Sequence, residues 1–239
     1  MMNRTKWREN FPNVIIDRII GEASKHKLYH SAKSGNASDA YHLASDLVTD
    51  IAIQELKKLI VHERPVLLIP VHAEEASGRN MIPLACATLI EEKLGEQVKV
   101  DLSIVQSSKV SRTGSTGWNR LANPPQFSGK IKDDIYAIMI DDNLTQGGTF
   151  AALNGYIENM GCTVLGAYAL TGRKYSAQLK LSDETLCLLR TKYEELETWW
   201  TQLFKYNFEA LTEWEARYLI NSNKSSDFIR SKITQTKQI

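Results

Sequence analysis

Two aspartates at the end of an apolar run, Asp141 and Asp142, are followed after two spacer residues by Thr145, Gln146, Gly147, Gly148 and Thr149. Carboxylates this close repel each other unless hydroxyl groups or a cation share them, and a sugar diol together with Mg²⁺ meets that need. The glycines allow close backbone approach and the threonines supply hydroxyls. A helix opening near Thr149 would turn its free amides and the positive end of its dipole towards a phosphate. The stretch therefore reads as a site for a ribose diol and a phosphate. Asp141 and Asp142 would take the diol and a metal, and Thr145 to Thr149 the phosphate. The plainer local reading is that the acids cap a turn and the glycines close it.

The thirteen residues from Ala137 to Thr149 closely resemble the phosphoribosyl-pyrophosphate motif of type I phosphoribosyltransferases. The order of strand, loop, helix and long loop agrees more loosely from about Pro65 to Arg173. The resemblance implies Mg²⁺-dependent displacement of pyrophosphate from ribose C1 by a nitrogen nucleophile. Asp141 and Asp142 would then hold the ribose hydroxyls, and Thr145 to Thr149 the 5′-phosphate. It puts a pyrophosphate loop on HAEEASGRN, residues 72 to 80, where Ser77, Gly78 and Arg79 suit an anion. Glu74 and Glu75 in the same loop repel a pyrophosphate unless Mg²⁺ intervenes. Glu75 reads equally as an acid facing a base or metal and as an exposed loop acid. His72 is expected to be a structural histidine. The resemblance also implies a closing loop over Ser107 to Lys130, which carries Lys109, Arg112, Arg120 and Lys130 and no acid. Lys109 and Arg112 are the expected catalytic cations for departing pyrophosphate, against the alternative of a solvated loop. Thr145 stands where members acting on 6-oxopurines commonly carry an acid, which disfavours that acceptor.

The elements needed to hold such a site are legible in the hydrophobic pattern. VLLIPV, VKVDLSIV, IYAIMI and TVLGAYAL read as buried strands. They alternate with helices over NMIPLACATLIEEKLG, ended by Gly95, and over TFAALNGYIENMG. This alternation predicts an α/β fold with a central parallel sheet flanked by helices, of the phosphoribosyltransferase kind, with N- and C-terminal helical extensions. The expected divisions are a helical extension over 1–62, a core over 63–181 and a helical subdomain over 182–239. Within the first, VIIDRII is expected as a short helix and 36–60 as one long amphipathic helix. In the last, Trp199, Trp200, Phe204, Tyr206, Phe208 and Trp214 suit a hydrophobic subdomain or dimer surface, or else a hood over a base. Lys174 and Tyr175 read as an exposed basic turn or as contacts to a base.

Composition narrows the remaining choices. A formal net charge of +1 gives no overall pull towards nucleic acid, so any anion site must be local. Cys86, Cys162 and Cys187 are too far apart in sequence for a zinc-ligand pattern and are expected as free thiols. No apolar run is long enough to cross a bilayer, and the first residues lack the apolar core of a signal peptide, so a cytoplasmic location is expected. The expected small-molecule partner is phosphoribosyl pyrophosphate, with a second copy or a protein partner on the helical extensions. A reading from another class is a non-catalytic sensor of that donor or of nucleotides, or a regulatory subunit on the same fold.

Overall fold

The computed structural model describes residues 4–60, 64–72, 78–107 and 116–237, together with the backbone of 74–75. The N-terminal part contains β1 (Ile15–Ile19), α1 (Tyr29–Lys33), α2 (Ala37–Leu47) and α3 (Asp50–Leu59). Then come β2 (Val66–Pro70), the short pair β3 (Glu74–Glu75) and β4 (Gly78–Arg79), α4 (Ile82–Leu94) and β5 (Val98–Val100). A second short pair, β6 (Val105–Gln106) and β7 (Phe127–Ser128), encloses α5 (Gly117–Ala122). The chain continues through β8 (Tyr136–Leu144), α6 (Gly148–Glu158) and β9 (Thr163–Gly172). It closes with α7 (Asp183–Lys192), α8 (Leu196–Phe204), α9 (Glu213–Asn221) and α10 (Ser226–Thr236).

Five strands make one parallel sheet in the order β1-β9-β8-β2-β5. Its central strands are apolar on both faces, as a parallel sheet covered twice requires. In β8, Ile138 and Ile140 pack into one cluster with residues of α2, α3 and α4. Ala137 and Met139 face a second cluster with Phe150, Leu153 and Ile157 of α6 and with Trp7 and Phe11. The sheet and its flanking helices are as the sequence pattern predicts.

Two expectations for the N-terminal part are corrected. VIIDRII is the edge strand β1, in register with β9 from Ile15↔Tyr168 to Ile19↔Gly172, and not a helix. Its mid-strand acid is satisfied, since Asp17 accepts from the Tyr168 hydroxyl at 2.9 Å and from the Thr49 amide at 3.0 Å. The stretch 36–60 is two helices because Thr49 caps α3. Its Oγ1 accepts from the Ala52 amide and donates to Asp17 Oδ1 at 2.6 Å. The described residues 4–60 thus supply a strand of the sheet and helices of its covering layer.

The C-terminal helices close over a third cluster centred on Trp200, Phe208, Leu189 and Ile229. Leu121 and Ala122 of α5 are buried in the same cluster, and Asn123 Nδ2 donates to the Thr236 carbonyl at 3.0 Å. Of the closing loop expected over Ser107 to Lys130, α5 and Asn123 are therefore built into the C-terminal subdomain, whereas Phe127 pairs with β6 and packs on the cluster of α6. Among the described residues no helix is long and apolar enough to cross a membrane.

Candidate functional site

The sheet presents its acid pair on a projecting strand. Pairing of β8 with β2 ends at Ile140, whereas pairing with β9 continues through Asp141↔Ala169 to Leu144↔Gly172. Asp141 and Asp142 lie on this extension of β8, and not on a loop after it. Asp142 falls on the face of Ile138 and Ile140, where its carboxylate accepts from Lys33 Nζ at 3.1 Å and from Asn80 Nδ2 at 3.0 Å. Asp141 is buried, and its Oδ1 accepts from the Asp142 amide at 2.8 Å. Burial, and next the charge of Asp142, push the Asp141 carboxyl well above the usual carboxylate range. Burial alone would lower Lys33, but Asp142 and the Tyr29 hydroxyl outweigh it and hold the amine above its ordinary value. Lys33 and Asn80 escaped the sequence reading. Lys33 sits 109 residues from its partner in a stretch that reads only as a break, and no motif marks it.

The stretch from Thr145 to Thr149 turns from β8 into α6, with Gly147 as the N-cap in the left-handed region at φ +79°. A side chain on Gly147 would collide with Leu179 and stand 3.2 Å from Thr212 Cγ2. One on Gly148 would meet Glu215, with Arg4 Nη2 at 3.2 Å. The glycines thus admit close packing of the C-terminal subdomain, which is the physical reason for them here. The turn is held from that side: Thr212 Oγ1 donates to the Gln146 carbonyl, and Arg4 Nη2 donates to the Gly148 carbonyl at 3.2 Å. From the other direction Arg120 of α5 donates to Thr145 Oγ1. Burial lowers the Arg120 guanidinium from its ordinary value, so its charge is partly stripped of water. Gln146 Oε1 is buried without a partner among the described residues.

Of the expected pyrophosphate loop, Gly78 and Arg79 form one strand of the β3–β4 hairpin. Gly78 adopts φ +113° and lies against the Ser34 carbonyl, where no side chain fits. His72 is a satisfied buried histidine: its Nδ1 donates to the Pro70 carbonyl at 3.2 Å, and burial, then the charge of Arg79, lower its pKa. Ser77 and the expected catalytic cations Lys109 and Arg112 lie outside the described residues.

Beyond the carboxyl ends of β1, β9 and β8 opens a cleft of about 730 Å³. Thr145, Gln146 and Arg120 form one part of its wall; Arg173 and Tyr175, just past β9, and Trp214 of α9 form another. The cleft joins the Thr145 hydroxyl and the Arg120 guanidinium, while Asp141 and Asp142, a few residues earlier on β8, are not among its lining residues. Lys33 and Asn80 stand at Asp142. Such a site suits a polyhydroxy anion at a topological edge of a parallel sheet. Among the described residues no three His, Cys, Asp or Glu side chains converge to form a metal site by themselves.

No family model matches the chain. Over 154 residues, 64% of its length, it is 55% identical to an uncharacterized protein of Haemophilus influenzae, of which it covers 34%. Over 231 residues, 96% of its length, it is 36% identical to protein TraN of Escherichia coli, of which it covers 50%. The chain thus spans half or less of the length of these curated relatives. Among solved structures, it is similar to an adenine phosphoribosyltransferase, with a TM-score of 0.35 and 14% identity over 56% of this chain and 72% of the other. A purine phosphoribosyltransferase from Pyrococcus horikoshii gives a TM-score of 0.32 and 13% identity, over 60% of this chain and 89% of the other. Likeness this distant transfers no chemistry.

Proposed function

We propose that the chain binds phosphoribosyl pyrophosphate with Mg²⁺ and transfers its phosphoribosyl group to a nitrogenous acceptor. One observation carries the reading: the acid pair and the Thr145–Thr149 turn meet at the carboxyl edge of a parallel sheet, with Arg120 brought onto Thr145 from another element. In this reading Asp141 and Asp142 orient the ribose hydroxyls. Thr145, Arg120 and the start of α6 hold the 5′-phosphate, and Arg79 faces the pyrophosphate. Two carboxylates and the donor's own phosphates suffice for Mg²⁺, which would supply charge neutralisation at the leaving group.

Titration with phosphoribosyl pyrophosphate and Mg²⁺ tests it. At a hundredfold excess over Kd, the donor should stabilise the protein by about 2.7 kcal/mol, and Asp141→Asn with Asp142→Asn should remove most of that gain. An unchanged gain in the double variant would sink the ribose assignment. A second reading, a sensor that binds the donor without turnover, is favoured by Lys33, which already neutralises the carboxylate meant for the diol. Pyrophosphate release with a panel of bases separates the two.

A further inference from the structure

The cleft beside Thr145 carries more charge and more ring surface than a ribose phosphate needs. Arg120, Arg173, Arg217 and Lys224 line it, and among the described residues no carboxylate does. Arg217 is paired with Glu213 at 2.7 Å, but Arg173 and Lys224 have no carboxylate partner among the described residues. Arg173 donates to the Tyr175 hydroxyl, and Lys224 lies 5.1 Å from the Phe228 ring centroid. Aromatic rings interleave with these cations. Tyr175 is 49% exposed with its ring centroid 4.2 Å from that of Trp214, whose indole N–H is engaged by the Tyr175 carbonyl. Trp118 and Tyr218 form a second ring pair, with centroids 5.2 Å apart. Unmatched cations favour a polyanion, and exposed, fixed rings favour a planar base.

We infer that this cleft binds a planar base that carries its own phosphate, as a nucleotide or as part of a single nucleic-acid strand. The inference deepens the proposed function by naming the class of acceptor or effector beside the donor, and rests on that reading only for the ligand's role. Tyr175, exposed at the cleft, offers a ring for stacking, with the Arg173 guanidinium 5.7 Å from its centroid and that of Arg217 5.5 Å from the Trp214 centroid, while Arg173 and Lys224 stand at the same cleft to meet phosphate oxygens. A neutral free base would leave both cations unmatched.

The test measures Trp fluorescence while the protein is titrated with the four nucleoside 5′-monophosphates, the matching nucleosides and an eight-residue oligothymidylate. At least one phosphate-bearing probe should quench fluorescence and bind about tenfold or more tighter than its nucleoside. Arg173→Gln with Lys224→Gln should abolish that preference, and Tyr175→Ala should weaken stacking by about tenfold. Tighter binding by the oligothymidylate than by thymidine monophosphate, with a steeper salt dependence, assigns the strand; the reverse assigns the free nucleotide. Equal affinity for nucleosides and nucleotides, or wild-type binding in the Arg173/Lys224 variant, overturns the inference. Phosphoribosyl pyrophosphate titrated alone tells the two proposals apart: nucleotide binding without donor binding leaves this inference standing and removes the donor reading.

Discussion

Lys33 and Asn80 hold the Asp142 carboxylate before any ligand arrives, and that decides what its replacement does. Asp142→Ala would leave Lys33, whose side chain is 22% exposed, with the Tyr29 hydroxyl but no counter-charge, and would take the acceptor from the Asn80 amide. The expected loss is about 1–3 kcal/mol, and Lys33→Met in the same chain should recover part of it, since the uncompensated charge is then gone. Urea denaturation of the two single variants and the double variant checks this; strictly additive costs would mean that the pair does not interact. Asp141 behaves oppositely. Its folded pKa is raised, so the stability it contributes is fully present below its unfolded value of about 3.9 and is lost as pH rises through the folded value. Asp141→Asn keeps an oxygen for the Asp142 amide and removes that titration. The variant should match or exceed the parent in stability at neutral pH and show a flatter pH profile above pH 4 by thermal melting. A profile parallel to the parent's would remove Asp141 as the titrating group.

At the scale of elements, the turn between β8 and α6 is tied to the segment that packs on it. Gly147→Ala should cost about 1–3 kcal/mol, partly for the positive φ and partly for the collision with Leu179. Adding Leu179→Ala should relieve the steric part only, so the combined cost in a denaturation cycle falls below the sum of the single costs. Additivity would show that Leu179 is not the neighbour that matters. This dependence also marks how far the sequence was legible. The acid pair, the turn and the strands around them announce themselves because local pattern makes them: apolar runs, Gly-Gly, and a helix with a buried stripe. β1 did not, because an edge strand with Asp17 and Arg18 inside it lacks the continuous apolar run of its neighbours, and its acid is satisfied only by the distant Tyr168 and Thr49. The break at Thr49 was hidden for the same reason. Arg120 is legible as a cation of the expected closing loop, but its pairing with Thr145 across 25 residues, like that of Lys33 with Asp142 across 109, leaves no periodicity to read.

Across the whole molecule, one buried ion pair links the N-terminal segment, the α/β core and the C-terminal helices. Arg4 donates to Glu215 Oε2 at 2.6 Å and to Oε1 at 3.0 Å, with side chains 3% and 1% exposed. The same guanidinium reaches the Gly148 carbonyl, while Glu215 completes the capping box of α9 with Thr212, whose hydroxyl holds Gln146. The turn that would take the donor phosphate is therefore braced by Arg4 of the N-terminal segment and by Thr212 and Glu215 of the α9 cap. Glu215→Ala leaves a buried guanidinium unpaired and breaks the cap, so it should cost about 3–5 kcal/mol. In a chain of this size that lowers Tm by roughly 10 °C. Replacing both partners with apolar residues of similar volume, Arg4→Met with Glu215→Leu, should restore much of the stability, because a buried pair is worth little against a well-packed apolar contact. It should not restore the turn. Without Arg4 the Gly148 carbonyl loses its donor, and without Glu215 the Thr212 cap loosens, so affinity for phosphoribosyl pyrophosphate should stay reduced by about tenfold although neither residue is placed on the ligand. Calorimetric titration of the double variant, at a temperature where it is as fully folded as the parent, measures this directly. Parental affinity in that variant would mean that the pair serves folding alone and that the turn holds its shape without it.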